Sequence, residues 1–127
     1  MTQISVMNTV NIDLSYLKTI AGDDFAFISE MLNMIQFSVP KEISNMTNSY
    51  KEGNYNAIAS TAHKIKAPLQ MINEYLLVDI ILEIETNSRD GKSIEVIPAL
   101  IEEFNVRFNK VDKAINQVLI GFNTLTQ

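Results

Sequence analysis

The 127-residue chain contains no cysteine and only one histidine. The lack of thiols excludes disulfides, thiolate metal sites and cysteine nucleophiles, and it is compatible with a reducing compartment. Basic residues are also few, since ten Lys and Arg stand against fifteen Asp and Glu for a formal net charge of −5. This charge opposes attraction to phosphate backbones and to anionic lipid. We therefore expect neither nucleic acid nor a membrane as a partner.

Long hydrophobic runs are missing as well. The first ten residues have neither a basic leader nor an apolar stretch of secretory length. The densest apolar segment, 75–84, is interrupted by Asp79 and Glu83, and it is far shorter than the roughly 20 residues that a spanning helix needs. We therefore expect a cytoplasmic protein. With 46% apolar and 20% charged residues, the chain suits one domain over 1–127.

Apolar residues recur at helical spacing along almost the whole chain, and no segment alternates as a half-buried strand would. The pattern therefore predicts an all-α fold. The first predicted helix is short, with an N-cap at Asp13, an end at Ala21-Gly22 and Leu14, Leu17 and Ile20 on one face; the second is long, runs from Asp23 or Asp24 to Gly53 and is kinked at Pro40. The third follows a cap at Asn54, covers about 55–72 and is ended by Asn73. The fourth covers 75–90, with a buried side of Tyr75, Leu76, Leu77, Ile80, Ile81 and Ile84, and the last starts near Pro98.

Two of these helices carry the most regular apolar stripes. The stripes are Phe25, Ile28, Leu32, Ile35, Val39, Ile43, Met46 and Tyr50 on the second helix, and Ile97, Ile101, Phe104, Phe108, Val111, Ile115, Val118 and Phe122 on the last. Four long helices joined by short turns predict an antiparallel up-and-down four-helix bundle with a short additional N-terminal helix. The seam on the last helix could instead serve a homodimer. Because every helix of a bundle needs such a stripe, we expect a monomer.

The single histidine, His63, falls in the third predicted helix. On a helical wheel the apolar residues and one threonine cluster opposite it, which predicts that the imidazole faces water. That opposite cluster is Ile58, Thr61, Ile65, Leu69 and Ile72, and the outer strip around His63 is Asn56, Ala59, Ser60, Lys66, Ala67 and Gln70. The residues four before and four after the histidine are alanines, so another macromolecule could reach the ring along the helix surface.

An exposed neutral imidazole offers an unprotonated nitrogen as a nucleophile. Phosphoryl transfer needs in-line access and positive charge at the phosphoryl oxygens, and Lys66 can supply part of that charge. Gln70, two turns from His63, is a candidate hydrogen-bond donor. Taken singly, each of these is an ordinary surface residue, and only their joint spacing points to a phosphoacceptor. The strip has no phosphate-binding loop, so we expect no cofactor in this chain and magnesium in the donor protein.

The segment 62–67, with the sequence AHKIKA, resembles the histidine-containing phosphotransfer (HPt) domain, the four-helix phosphocarrier of multistep two-component phosphorelays. The resemblance covers about residues 12–120. It implies that His63 takes a phosphoryl group from an aspartate of one receiver domain and passes it to another, without ATP binding or autokinase activity. The implied partners are a response-regulator receiver domain and a hybrid sensor histidine kinase.

Two positions test how closely the chain follows that family pattern. The family has a lysine three residues after the histidine, matched here by Lys66, and a small residue, usually glycine or serine, four after it. The small position here is Ala67. Pro68 follows and removes a backbone donor just past the site. The departures bear on affinity and partner choice more than on the transfer itself.

The second predicted helix has an additional apolar row of Phe27, Met31 and Met34, continued by Ser38 and Lys41. Counted back from the turn at Gly53, Lys41 lies at about the level of His63. Flexible methionines suit a transient interface. We therefore hypothesise that Met31, Met34 and Phe37 contact the receiver, beside Ala59, Ala67 and Lys41. Packing under the short first helix is the alternative, above all for Phe27.

Other functions fit the sequence less well. A di-iron bundle needs paired Glu-x-x-His motifs, and position 60, three before the histidine, is serine. Asp79 and Glu83 share a helix face, but with no second histidine they are predicted to be solvated surface. The main alternative is a non-catalytic helical adaptor that binds receiver or kinase domains without being phosphorylated.

Overall fold

The computed structural model describes residue 10 and residues 12–126. Five α-helices are present, α1 Ser15–Ala21, α2 Phe25–Lys51, α3 Tyr55–Met71, α4 Tyr75–Asp90 and α5 Ile97–Thr126, and one turn of 3₁₀ helix, Ile94–Val96, leads into α5. These residues include no strand, so the all-α prediction is confirmed. Within the same ranges, no helix is both long enough and apolar enough to cross a membrane.

The ends of the helices follow from the residues in the turns. Gly53 has a left-handed φ of +72°, and Asn73, after α3, has a φ of +54°. The side chain of Asn54 caps α3 by accepting a hydrogen bond from the N–H of Ala57 at 3.1 Å. Asp24 caps α2 in the same way at 3.0 Å. The predicted boundaries of α2 and α3 are therefore confirmed.

The predicted start and face of α1 are only partly correct. Its N-cap residue is Leu14 rather than Asp13, and the Asp13 carboxylate accepts a hydrogen bond from the N–H of Ser15 at 2.9 Å. Hydrogen bonds from the hydroxyl and backbone of Ser15 lower the pKa of Asp13. Leu17 is fully buried, but Ile20 is 55% exposed. A helix of two turns presents only a narrow face to its neighbour, so Leu17 is covered and Ile20 is not.

One hydrophobic core takes residues from all five helices. The predicted stripes of α2 and α5 are buried, with Phe25, Tyr50 and Val118 partly covered at their edges. α2 remains a single helix through Pro40, as the unbroken phase of its stripe predicted. The prediction for α4 is wrong at Tyr75 and Leu76, which are 60% and 58% exposed. The start of α4 is apolar on all sides, so its periodicity could not indicate which side is buried.

The long helices contact one another in sequence, α2 with α3, α3 with α4 and α4 with α5, and α5 also contacts α2. The short helix α1 packs on α2. The stacked rings of Phe25 and Phe122, with centroids 4.8 Å apart, join the start of α2 to the end of α5. The most extensive of these contacts, between α3 and α4, carries the candidate site.

Candidate functional site

His63 lies near the middle of α3, and 68% of its side chain is exposed. The five residues predicted to lie opposite it, Ile58, Thr61, Ile65, Leu69 and Ile72, are all buried. The predicted orientation of the imidazole toward water is therefore confirmed. Ser60, Ala67 and Gln70 are exposed on the same side of α3.

A buried carboxylate lies directly beneath the imidazole. The side chain of Glu85, on α4, is only 6% exposed, and its Oε2 lies 3.3 Å from Nδ1 of His63. The same oxygen accepts a hydrogen bond from Arg89, one turn further along α4. The other oxygen, Oε1, lies 3.8 Å from Nζ of Lys66 and has no hydrogen-bond donor among the described residues. One carboxylate thus contacts three groups that can carry positive charge.

Glu85 remains ionised despite its burial. Burial alone would raise the pKa of Glu85, because it removes water from the charged form. The hydrogen bond from Arg89, the positive charges of Lys66 and Arg89, and the contact with His63 outweigh burial and lower the pKa of Glu85 below its ordinary value. At neutral pH the site therefore contains a fixed negative charge below the ring.

Small side chains on α3 let α4 come close enough for this contact. Ala62 is fully buried, and Ala59 is 8% exposed. The prediction that Ala59 lies on the exposed strip is therefore wrong. By helical spacing Ala59 and Ala62 lie on the same side of α3 as Lys66, and Glu85 of α4 contacts both His63 and Lys66. α4 therefore packs along this side of α3, which brings Glu85 under the imidazole. Only the other flank, at Ala67, is open to solvent.

The contact with Glu85 distinguishes the two nitrogens of His63. An ionised carboxylate only accepts hydrogen bonds, so the neutral imidazole is expected to carry its proton on Nδ1, next to Glu85. The lone pair of Nε2 is then free on the exposed ring. Lys66, Arg89 and Glu85 together have a net charge of +1, although the chain as a whole has a net charge of −5. The described residues contain no group of three or more side chains that could hold a metal ion.

Gln70 lies apart from this cluster. Two turns along α3, or about 10 Å from His63, its side chain makes no hydrogen bond to the described residues. It lines a separate cavity of about 340 Å³ with Tyr16, Ala67, Met71, Asn73 and Tyr75. The structure does not bring Gln70 together with His63 and Lys66, and its role as a hydrogen-bond donor stays a prediction.

The additional row on α2 is graded in exposure. Met31 is partly buried against the core, whereas Phe27 and Met34 are 37% and 38% exposed and Phe37 is 73% exposed. Nζ of Lys41 lies 5.8 Å from the centroid of the Phe37 ring, within the range of a cation–π interaction. The use of this row as a docking surface stays a prediction.

Sequence reasoning identified His63 and Lys66 but missed Glu85 and Arg89. A signal for Glu85 was present, because it lies on the buried face of α4 with Ile81, Ile84 and Ser88. An ionisable side chain at such a position needs a partner. Arg89, four residues on, is the nearest candidate by helical spacing.

Comparisons with protein-family models, with curated proteins and with solved structures gave no match to this chain. The chain is an all-helical protein in which an exposed histidine lies over a buried, charged glutamate and beside two cations.

Proposed function

We propose that the chain is a phosphorelay intermediate of the HPt class in two-component signal transduction. It accepts a phosphoryl group on His63 from a receiver-domain aspartate and passes it to another receiver. One observation carries the proposal: the imidazole is 68% exposed while its Nδ1 lies 3.3 Å from the buried carboxylate of Glu85. This arrangement leaves Nε2 available to a partner protein and holds the other nitrogen in place.

The proposed architecture is an antiparallel up-and-down bundle of α2, α3, α4 and α5, with α1 as the additional helix. Two features support it. The turns before α3 and α4 have three residues each, and such short turns favour antiparallel neighbours. The contacts between α5 and α2 supply the pairing that a four-helix bundle needs between its first and last helices.

The transfer step is a displacement at phosphorus. The lone pair of His63 Nε2 forms the N–P bond while the O–P bond of the donor's aspartyl phosphate breaks, and the aspartate leaves as a carboxylate with the bonding electrons. The imidazole becomes positively charged, and the Glu85 carboxylate stabilises that charge through the proton on Nδ1. Transfer to the next receiver is the reverse of this step with a new aspartate.

The two cations beside Glu85 act on the phosphoryl oxygens. The side chains of Lys66 and Arg89 are 27% and 62% exposed, so both reach the surface on which a phosphoryl group would arrive. Positive charge at this point stabilises the charge that develops in the transition state. The receiver domain contributes the magnesium ion, and this chain serves as a phosphocarrier rather than a kinase.

The test is incubation of the chain with a panel of receiver domains phosphorylated with ³²P. We expect label to move to His63 and to be lost in acid but kept in alkali. The His63→Gln variant should take no label, and its free energy of unfolding should change by about 0.5 kcal/mol or less, because the ring is exposed. A matched control is Lys64→Gln, an exposed change one residue away.

Two outcomes would contradict phosphoryl transfer. One is equal labelling of the chain and of its His63→Gln variant. The other is binding of the receivers with equal affinity by both proteins and no label on either, which is the behaviour of the adaptor alternative.

A further inference from the structure

A groove between α4 and α5 forms a second surface feature, with a volume of about 600 Å³. Ile80, which is partly buried, and Leu100, which is 9% exposed, lie deepest among its apolar residues. Leu76 and Val106 lie at its edges and are 58% and 54% exposed. The groove therefore presents apolar side chains of both helices to solvent.

The groove is separate from the His63 site. Its α4 wall includes Asp79 and Glu83, whereas Glu85 faces α3. In an α-helix, positions two and six residues before Glu85 lie on roughly the opposite side. A partner could therefore occupy the groove while the imidazole stays accessible.

An internal ion pair determines the free charge along the groove. Nε of Arg107, in the α5 wall, lies 2.7 Å from Oε1 of Glu74, whose side chain is 6% exposed. The positive charge of Arg107 is therefore already neutralised from inside the protein. The other charged residues of the walls, Asp79, Glu83, Glu103 and Lys110, have no ion-pair partner within residues 12–126. Three carboxylates thus face solvent around one ammonium group.

These carboxylates repel one another in the isolated chain. Asp79 and Glu83 are four residues apart on one helix face, where like charges oppose helix stability. With α5 running back along α4, the contact between Glu74 and Arg107 places Glu103 at about the level of Asp79 across the groove. Cations placed between the walls would relieve this repulsion.

We propose that this groove binds an amphipathic helix of a partner protein, with an apolar ridge flanked by lysine or arginine. The apolar ridge would pack on Ile80 and Leu100, and the flanking cations would pair with Asp79, Glu83 and Glu103. The α5 wall extends from Leu100 to Lys110, which is about 15 Å and matches two to three turns of helix. A second copy of this chain would bring the same acidic rim and is disfavoured by like charge.

The test uses a capped 14-residue peptide of leucine and lysine at helical spacing, at concentrations where it is monomeric, and the isotope-labelled full chain. We expect saturable amide shifts at residues that line the groove and no binding of the same peptide with glutamate in place of lysine. The triple variant Asp79→Gln, Glu83→Gln and Glu103→Gln should bind about tenfold or more weakly, because it lacks the charges that face the peptide.

Two further variants separate a specific groove from general charge attraction. The first is a second triple variant, Glu30→Gln, Glu52→Gln and Glu95→Gln, which removes three exposed carboxylates elsewhere. It should weaken binding by about threefold or less, because salt screens the long-range attraction of these carboxylates for the peptide. The pair Leu76→Ser and Val106→Ser should weaken it while keeping the charge. Equal weakening by both triple variants, shifts centred on Phe37, or dimerisation through the groove would each overturn the proposal.

Discussion

The carboxylate of Glu85 links two helices at the point where the candidate chemistry takes place. It contacts His63 and Lys66 on α3 and Arg89 on its own helix. Because its side chain is 6% exposed, its position is set by the packing of α3 on α4. The orientation of the imidazole is therefore a property of the folded core, present before any partner binds.

The first prediction concerns the stability of Glu85→Gln at different pH values. The pKa of Glu85 is lowered in the folded state, so its ionised form stabilises the fold above the unfolded pKa of about 4.3. That contribution is lost as the pH falls through the lower folded pKa. We expect the variant to be less stable by about 1 kcal/mol at pH 7, as for a hydrogen-bonded charge with two of its three partners, His63 and Arg89, largely exposed.

Urea unfolding at pH 7, 5 and 3 measures this effect. The stability difference between the wild type and Glu85→Gln should shrink as the pH falls below about 4, where the unfolded carboxyl is already protonated. Glu30→Gln, at an exposed position of α2, serves as the control. A difference that stays constant or grows in acid would contradict the assignment of a lowered pKa.

The second prediction concerns the rate of phosphoryl transfer. Lys66→Gln removes a positive charge beside the attacking nitrogen, and we expect transfer from a phosphorylated receiver to slow by about ten- to a hundredfold. Lys64→Gln removes the same charge from a neighbouring exposed position of α3 and should have little effect. Rapid-quench measurement of label transfer compares the two. Equal rates for both variants would assign no role to Lys66.

The site residues show what a single sequence can predict at this scale. The exposure of His63 and the proximity of Lys66 depend on the geometry of one helix, so periodicity was sufficient for both. The contact with Glu85 depends on how α3 and α4 are aligned, and one helix's periodicity says nothing about that alignment. The same limit explains the error at Ala59, which is only 8% exposed.

At the scale of the elements, α2 shows that a long apolar stripe can maintain a helix through a proline. The helix is continuous over Phe25–Lys51 with Pro40 inside it. The proline removes a backbone hydrogen bond to the preceding turn. Burial of the residues on both sides, such as Ile35, Val39 and Ile43, offsets that loss.

The third prediction follows from this arrangement. Pro40 is exposed, so Pro40→Ala removes no buried contact and restores the missing hydrogen bond. An interior proline destabilises a helix by about 3 kcal/mol relative to alanine. Proline also restricts the unfolded chain, which offsets up to about 1 kcal/mol of that penalty. We therefore expect Pro40→Ala to raise the free energy of unfolding by about 2 kcal/mol. Urea unfolding measures it.

Pro98→Ala provides the matched control for that measurement. Pro98 is in the first turn of α5, where the backbone N–H has no partner within the helix. The substitution should therefore change stability by about 1 kcal/mol or less. An equal gain at both positions would mean that Pro40 does not weaken α2.

Helix boundaries were predictable where the turn residues carry a strong local preference. Gly53, Asn54 and Asn73 are examples, because each has its own conformational reason to end or begin a helix. The covered side of α4 was not predictable at Tyr75 and Leu76, where apolar residues occupy successive positions. The packing of α4 on its neighbouring helices determines which apolar residues are buried, and both of these remain exposed.

At the scale of the whole molecule, charge is distributed unevenly. The chain has a net charge of −5, yet the surface around His63 has an excess of positive charge from Lys66 and Arg89. The groove between α4 and α5 carries three carboxylates. The surface around His63 therefore favours a negatively charged partner, and the groove favours a positively charged one.

The fourth prediction tests the docking surface on α2. Met34→Ala with Phe37→Ala removes two exposed apolar side chains that belong to the hypothesised receiver contact. We expect the affinity for a cognate receiver to fall by about tenfold, as for a contact of moderate energy, with helicity unchanged. Calorimetric titration and circular dichroism measure the two quantities. Leu82→Ala, at an exposed position of α4, is the control. Transfer and binding at wild-type levels in the double variant would exclude this surface.

The stacked pair Phe25 and Phe122 has a consequence for how the molecule opens. α5 has 30 residues and α4 has 16, so the last turns of α5 continue past the length that α4 can cover. There the stacked aromatic pair joins the last turns of α5 to the beginning of α2. Fraying of the C-terminal turns and of the first turn of α2 should then be a single concerted event, with amide protons at both ends showing the same free energy of opening in deuterium exchange.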